Sequence, residues 1–75
     1  MTSATLEVMR AVKALEPCTS SEIAIYLNNR MTRRQILVIL NVGIITGTMR
    51  METNGTRQIW TLTPPGQEIV EGARD

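Results

Sequence analysis

Arginine is the residue type in this chain that offers the most chemistry. Residues 29–62 contain five arginines and only one carboxylate, a net charge of +4, whereas residues 1–28 and 63–75 carry −1 and −2. Guanidinium groups bind phosphates and guanine edges through paired N–H donors. The basic centre therefore indicates a phosphate-facing surface, although a solvated arginine-rich surface explains the charge alone equally well. The five side chains are Arg30, Arg33, Arg34, Arg50 and Arg57.

Catalytic chemistry has few candidate residues. The chain has no histidine to activate its single cysteine, Cys18, as a nucleophile, so we interpret Cys18 as a small, half-buried structural residue. Glu68 and Glu71 are three residues apart and are best interpreted as solvated charges. The sequence has no phosphate-cradling glycine loop and no cluster of metal ligands. We therefore expect no enzyme activity, no cofactor and no metal.

The length of 75 residues allows one small domain, and we expect residues 1–75 to form it. A hydrophobic content of 43% is enough for a folded core, but so small a core leaves the chain marginally stable unless its helices pack well or it dimerises.

The longest near-apolar run, residues 36–45, is too short to span a bilayer. The N-terminus lacks the pattern of a secretion signal, and a single cysteine fits a reducing compartment. We expect a cytoplasmic protein without membrane association.

The stretch that positions the central arginines runs from Thr32 to Gly47, and its pattern predicts one helix. Thr32 and Gln35 form a capping box at the start, and Gly47 suits the left-handed position just past the end. At 3.6 residues per turn, one side is apolar and is expected to face the core. That side consists of Ile36, Ile39, Leu40 and Gly43. The opposite side carries Arg34, Val38, Asn41 and Ile45.

The end of this helix has a competing interpretation. Gly43 could end it, and the β-branched run Ile44-Ile45-Thr46 could begin a strand. The following hairpin decides between the two, because Asn54-Gly55 is a strong signal for a two-residue loop. With that loop, a strand beginning at Ile44 has no partner for its first residues. We therefore predict a helix over residues 32–46 and a hairpin over residues 48–62.

Cross-strand partners divide the predicted hairpin into two faces. An Asn54-Gly55 loop pairs Thr53 with Thr56 and Met49 with Trp60. The covering face is mainly apolar and should pack on the helices, with Trp60 in the core, and it consists of Met49, Met51, Gln58, Trp60 and Leu62. The other face is mainly polar and should meet solvent or a ligand. It consists of Thr48, Arg50, Glu52, Arg57, Ile59 and Thr61.

Two shorter helices are predicted before residue 32. The first is capped by Thr2 or Ser3 and runs to about Leu15. The second starts at a capping box, Thr19-Ser20-Ser21-Glu22, which precedes an apolar run. It ends near Asn28-Asn29, because asparagine tolerates the left-handed backbone that tight turns between helices need.

A short last helix is predicted after the hairpin. Thr63 suits its N-cap, a proline follows at the first position, and Gly72 suits its end. The element order is then three helices, a two-stranded hairpin and a short helix. We predict an α+β fold that is mostly α.

Four motifs occur in this order along the chain. They are Thr19-Ser20-Ser21-Glu22-Ile23-Ala24-x-x-Leu27, Thr32-Arg33-Arg34-Gln35-Ile36, Gly47-x-Met49 and Arg57-x-x-Trp60-x-Leu62-Thr63-Pro64-x-Gly66. Together with the element order, they resemble the winged helix-turn-helix of small bacterial and phage regulators, including MarR-type and PadR-type proteins. The resemblance covers most of the chain, from about Thr5 to Ile69.

The resemblance implies a sequence-specific DNA-binding transcriptional regulator whose partner is double-stranded DNA. Helix 32–46 would be the recognition helix in the major groove, and hairpin 48–62 would be a wing that reaches the adjacent backbone or minor groove. Carried over by position, the first turn of the helix would enter the groove, Asn41 would lie deeper, and Arg57 would be the wing arginine. Including the other arginines of the basic centre, the candidate DNA contacts are Arg30, Thr32, Arg33, Arg34, Gln35, Asn41, Arg50 and Arg57.

One feature of the third helix departs from this pattern. The face that would enter the groove is largely apolar, with Val38 and Ile45 at its centre and Leu37 and Val42 beside them. An exposed apolar helix face in so small a domain points to a protein partner or a homodimer. The alternative function is therefore a winged-helix interaction or dimerisation module. Its third helix would bind protein through Leu37, Val38, Val42 and Ile45.

Overall fold

The computed structural model describes residues 3–73, within which four helices and one antiparallel hairpin form. The elements are α1 (Ser3–Leu15), α2 (Ser20–Tyr26), α3 (Arg33–Thr46), β1 (Met49–Asn54), β2 (Arg57–Leu62) and α4 (Pro64–Gly72). This is the predicted mostly helical winged-helix arrangement. The alternative cap at Thr2 lies outside the described residues. Over the described range, no helix combines the length and apolar content needed to cross a membrane.

Helix α3 begins and ends where the sequence predicts. The hydroxyl of Thr32 accepts the N–H of Gln35 at 3.1 Å, and the side-chain oxygen of Gln35 accepts the N–H of Thr32 at 2.9 Å. At the other end, Gly47 takes the left-handed conformation with φ 80° and donates its N–H to the carbonyl of Ile44 at 3.2 Å. The helix therefore continues through the β-branched run, and the alternative strand beginning at Ile44 does not form.

Helix α2 and its turn are also positioned by local chemistry. The N–H of Thr19 donates to the Glu22 carboxylate at 2.9 Å, and the N–H of Glu22 donates to the Thr19 hydroxyl at 3.3 Å. After α2, Asn28 and Asn29 both adopt left-handed backbone, with φ 54° and 57°. The predicted capping box and asparagine turn are confirmed, and they place the start of α3 beside the start of α2.

The hairpin register differs from the prediction by two residues. Asn54 stays in β1 opposite Arg57, so the loop is Gly55-Thr56, and Met51 rather than Met49 pairs with Trp60. The predicted Asn-Gly loop requires positive φ at both residues, whereas a type II′ turn requires it only at the first. Gly55 supplies that angle with φ 65°. A shift of two residues keeps each side chain on its face, so the predicted faces are correct.

The core is formed by the apolar sides of α1, α2 and α3 and by the covering face of the hairpin. Trp60 is 2% exposed, as expected for a core residue below the wing. The other buried apolar residues are Val8, Met9, Ala11, Val12, Cys18, Ile23, Leu27, Ile36, Leu40, Met49 and Leu62. The core-facing side of α3 is thus confirmed, with Ile39 half-buried at its edge.

The base of the hairpin is fastened to the link between α1 and α2. Cys18 and Trp60 exchange two backbone hydrogen bonds, of 3.2 and 2.7 Å, and the Glu16 carboxylate accepts the N–H of Leu62 at 3.0 Å. Cys18 is more deeply buried than predicted, at 1% exposed. Burial, together with the nearby carboxylates of Glu22 and Glu16, raises the pKa of its thiol to about 11. Cys18 is therefore an un-ionised structural residue at neutral pH.

Helix α4 packs against the backbone between α3 and β1. The hydroxyl of Thr63 donates to the carbonyl of Gly47 at 2.6 Å, and the N–H of Thr63 donates to the carbonyl of Thr48 at 3.1 Å. Gly66 is buried at this contact. A Cβ atom there would overlap the Thr48 carbonyl oxygen and lie 3.0 Å from its carbon. The close approach of α4 therefore depends on a residue without a side chain.

Candidate nucleic-acid interface

The side of α3 that points away from the core is exposed along its whole length. We call it the outer face of α3, and it consists of Arg34, Val38, Asn41, Val42 and Ile45. Its three aliphatic side chains are 57%, 49% and 84% exposed in that order. A guanidinium and a carboxamide can hydrogen-bond base edges, and aliphatic side chains can pack on thymine methyl groups. The same aliphatic groups can also pack against a protein.

Leu37 does not belong to this exposed face. The sequence predicts Leu37 beside Val38 on that face, but the residue is half-buried and packs against the hydrophobic core. The reason is helical geometry, because Leu37 precedes the fully buried Leu40 by three residues and so lies only about 60° from it around the helix axis. The exposed apolar set is therefore Val38, Val42 and Ile45, joined at the flank by Ile44, which is 41% exposed.

Two further candidates, Thr32 and Gln35, carry out the capping of α3. The hydroxyl of Thr32 and the carboxamide oxygen of Gln35 each accept a backbone N–H at the start of the helix. Their side chains therefore fix where the helix begins, directly beside Arg33 and Arg34. The expectation that they also contact DNA stays a prediction.

A cleft of about 600 Å³ lies between the start of α2, the start of α3 and the tip of the hairpin. We call it the arginine cleft, because Arg33 from α3 and Arg57 from β2 both line it. Its remaining lining residues are Thr19, Ser20, Ser21, Glu22, Thr56 and Gln58. Two guanidinium groups, several hydroxyls and one carboxylate give the cleft a net positive charge. A phosphate group matches this chemistry, because charge-assisted hydrogen bonds from arginine to phosphate are short and strong.

Arg33 is held in place within this cleft. Its Nε–H donates to the hydroxyl of Ser20 at 3.3 Å, and Ser20 is only 6% exposed. Among residues 3–73, by contrast, Arg34, Arg50 and Arg57 have no side-chain hydrogen bond or ion pair. Of the two arginines that line the cleft, Arg33 is therefore anchored and Arg57 is open to a ligand.

Arg30 and Arg50 lie away from the arginine cleft. Arg30 forms an ion pair with Glu7 at 3.1 Å and donates its Nε–H to the carbonyl of Leu27 at 3.0 Å. With Arg34 it borders a separate hollow of about 420 Å³ that is otherwise lined by Ala4, Met31, Gln35, Val38 and Ile39. Arg50 is exposed on β1 opposite Thr61, near the base of the hairpin. The five central arginines therefore do not form one patch.

Several residues of the arginine cleft were not identified from sequence. In the sequence, Ser20 and Ser21 are only the middle residues of a capping box and Gln58 is only part of the covering face, and nothing marks these three or Thr56 as ligand contacts. The contact between Ser20 and Arg33 joins residues 13 apart in two helices, so no helical spacing predicts it. The usable signal is the capping box, because it places hydroxyl-bearing residues at the start of α2, and a helix-turn-helix brings that end close to α3.

The fold is shared with solved structures of transcription regulators. The apo form of MarR from E. coli matches with a TM-score of 0.85 at 19% sequence identity, covering 96% of this chain and 54% of that protein. The PcaV transcriptional regulator from Streptomyces coelicolor matches with a TM-score of 0.85 at 18% identity, covering 95% and 51%. BpsR from Bordetella bronchiseptica, whose DNA binding is regulated by 6-hydroxynicotinic acid, matches with 0.83 at 17% identity, covering 96% and 51%.

These matches confirm the predicted resemblance to MarR-type winged helices at the level of the fold. The chain spans about half the length of each of these three proteins. No protein-family model matches the sequence, and no curated protein matches it by sequence. The likeness is therefore one of backbone architecture, and function has to be argued from this chain's own residues.

Proposed function

We propose that residues 1–75 form one winged helix-turn-helix unit of a sequence-specific transcriptional regulator that binds double-stranded DNA. The observation that carries the proposal is the arginine cleft, which Arg33 at the start of α3 and Arg57 on the hairpin both line. Two guanidinium groups that line one cleft concentrate positive charge where a phosphate can bind. The shared fold supports the proposal, because the matching structures include transcriptional regulators.

The outer face of α3 is the proposed reader of base sequence. Arg34 and Asn41 would hydrogen-bond guanine and adenine edges in the major groove, and Val38 and Ile45 would pack on thymine methyl groups. Arg33 and Arg57 would bind backbone phosphates, which fix the position of the protein on the duplex without reading sequence. Arg57, close to the hairpin tip, would do so from the wing. The lesser candidates are Arg30, Thr32, Gln35 and Arg50.

A salt series with double-stranded DNA tests this proposal. A short labelled duplex of mixed sequence serves as the probe, and fluorescence anisotropy reports its binding. Two phosphate-bound arginines predict that log K falls with log salt with a slope of about −2 or steeper, at roughly −0.9 per neutralised phosphate. Lys13→Ala is the control, because Lys13 pairs with Glu71 at 2.7 Å away from the cleft, and its slope should equal that of the wild type. Absence of binding at about 50 mM salt would refute the proposal.

A second function, binding of protein through α3, is favoured by one observation. Val38, Val42 and Ile45 expose about half or more of their surface on one helix face. Burying such side chains stabilises an interface by roughly 1.5–3 kcal/mol each, which is enough to hold a well-fitting dimer at micromolar concentration. The occupant of this face would then be a second copy of the chain or another protein.

Sedimentation of the wild type and of Val38→Lys, each with and without the duplex, separates the two functions. If α3 reads DNA, Val38 is open in the free protein and the lysine is tolerated for folding. If the face binds a second copy, the wild type sediments as a dimer and Val38→Lys as a monomer. Ile25→Lys is the matched control, because Ile25 is 71% exposed on α2, outside both surfaces.

The outcomes of this comparison exclude one function or the other. A wild type that stays monomeric at high concentration and still binds the duplex contradicts self-association through α3. A dimer that fails to bind the duplex and is broken by Val38→Lys, but not by Ile25→Lys, contradicts the regulator.

A further inference from the structure

We propose that Ser20 is a positioning residue for DNA binding. Its hydroxyl holds the guanidinium of Arg33 across the arginine cleft from Arg57, so that the two arginines bind the same backbone phosphate. This inference rests on the proposed function. It adds that the ligand of the cleft is a backbone phosphate and that Ser20 orients Arg33 to bind it.

The burial of Ser20 needs an explanation. Within residues 3–73 it is the one polar or charged residue that is buried, at 6% exposed. It is not required to cap α2, because the hydroxyl of Thr19 already accepts the N–H of Glu22. Its own hydroxyl instead accepts the Nε–H of Arg33, which comes from the next helix. Buried hydroxyls are normally hydrogen-bonded, and the side-chain partner of this one is Arg33.

The hydrogen bond at Nε changes what Arg33 can do. It occupies one of the five N–H donors of the guanidinium and leaves the four on the two Nη atoms for a ligand. Because the guanidinium is planar, holding Nε also restricts the direction in which those four donors lie. A long side chain that is already restricted loses less conformational freedom on binding than a mobile one does.

Arg57 completes the arrangement from the other side of the cleft. Its backbone is fixed by pairing with Asn54 at the end of the hairpin. The carboxylate in the cleft, Glu22, is held by the N–H of Thr19 at 2.9 Å and forms no ion pair with either arginine in the described part of the chain. A backbone phosphate has two unesterified oxygens, which suits two guanidinium groups on separate elements.

A double-mutant cycle on Ser20 and Arg33 tests the inference. The probe is the short labelled duplex of mixed sequence. Ser20→Ala should weaken binding about 2- to 10-fold, the effect of losing one hydrogen bond. The slope of log K against log salt should stay at the wild-type value, because both arginine charges remain. In an Arg33→Ala background, Ser20→Ala should have no further effect on affinity.

Matched variants exclude a merely structural role for the hydroxyl. Ser21→Ala removes an exposed hydroxyl from the same cleft and should bind like the wild type. Arg33→Lys keeps the charge but lacks both the Nε–H donor and the planar fork, so it should lose at least as much affinity as Ser20→Ala while keeping the salt slope, and undiminished affinity would contradict the inference. Because Arg33 is exposed, this second variant remains informative even if Ser20→Ala fails to fold.

The contact between Ser20 and Arg33 is also measurable without DNA. The Nε–H proton of Arg33 should exchange slowly with solvent in the wild type and in Ser21→Ala, and rapidly in Ser20→Ala. An equal loss of DNA affinity from Ser20→Ala with and without Arg33 would overturn the inference while leaving the proposed function intact. A wild type that does not bind the duplex would overturn both.

Discussion

Replacing Arg33 and Arg57 together with alanine should reduce affinity for double-stranded DNA at least about 100-fold at low salt, because each hydrogen bond to a charged group contributes about 1.5–3 kcal/mol. The slope of log K against log salt should fall in magnitude by about 1.8, the value for two phosphates. Both residues are exposed, so the circular dichroism spectrum should stay at the wild-type shape. The melting temperature should fall only slightly, because the buried Ser20 hydroxyl loses its hydrogen bond to Arg33. Anisotropy with the mixed-sequence duplex measures the first two quantities.

The cleft itself supplies the control for this double variant. Glu22→Gln removes a negative charge from the cleft but keeps the capping box, because glutamine also serves at that position. DNA affinity should therefore rise, the opposite of the arginine variant. A folded Arg33→Ala/Arg57→Ala protein with undiminished affinity would show that phosphate does not bind in the arginine cleft.

Gly66→Ala should destabilise the fold by about 3 kcal/mol, at the upper end of the range for overfilled sites. The added methyl would meet the Thr48 carbonyl, and backbone yields less readily than the end of a flexible side chain. A chain of this length has a total stability of about 4–11 kcal/mol, so the loss is a large share of it. The melting temperature should fall by roughly 12–24 °C, which thermal unfolding followed by circular dichroism measures.

Gly72→Ala is the matched control in the same helix. A Cβ atom at Gly72 meets nothing within 4 Å, so this variant should melt at or slightly above the wild-type temperature. Equal melting temperatures for Gly66→Ala and Gly72→Ala would contradict the close packing of α4 on Thr48. Because neither glycine lies in the arginine cleft, DNA binding by the folded fraction should be unchanged in both.

Local chemistry made much of the fold predictable from sequence. The caps at Thr32 and Gly47, the box at Thr19 and the turn at Asn28 each depend on residues within about one helical turn of each other, so sequence spacing contains the whole interaction. The predicted hairpin register is wrong because an Asn-Gly pair is compatible with two turn types. A type I′ turn needs positive φ at both Asn54 and Gly55, whereas a type II′ turn over Gly55-Thr56 needs it only at Gly55. The strand pairing observed in the structure shows which of the two loops forms.

The candidate site was less predictable from sequence, because its residues come from three elements that only the tertiary fold brings together. Sequence identified Arg33 and Arg57 as separate candidates but contained nothing that placed them in one cleft, since they are 24 residues apart on different elements. It also ranked Arg30 with them, although Glu7 and the Leu27 carbonyl hold Arg30 elsewhere. The net charge of a segment shows how many arginines it contains. Which of those arginines line the same cleft depends on how the helices and the hairpin pack.

The fastening of the hairpin to the α1–α2 link determines how the molecule would meet a duplex. The paired backbone bonds between Cys18 and Trp60, together with the Glu16 contact to Leu62, tie the wing to the body that carries α3. Contacts at the base of the hairpin restrict rotation of the wing relative to α3. A nearly constant distance between Arg57 and the outer face of α3 would suit only one spacing of the DNA backbone. DNA with a different spacing would have to deform, and the energy of that deformation depends on its sequence. Discrimination between sites would arise partly at base pairs that no side chain touches.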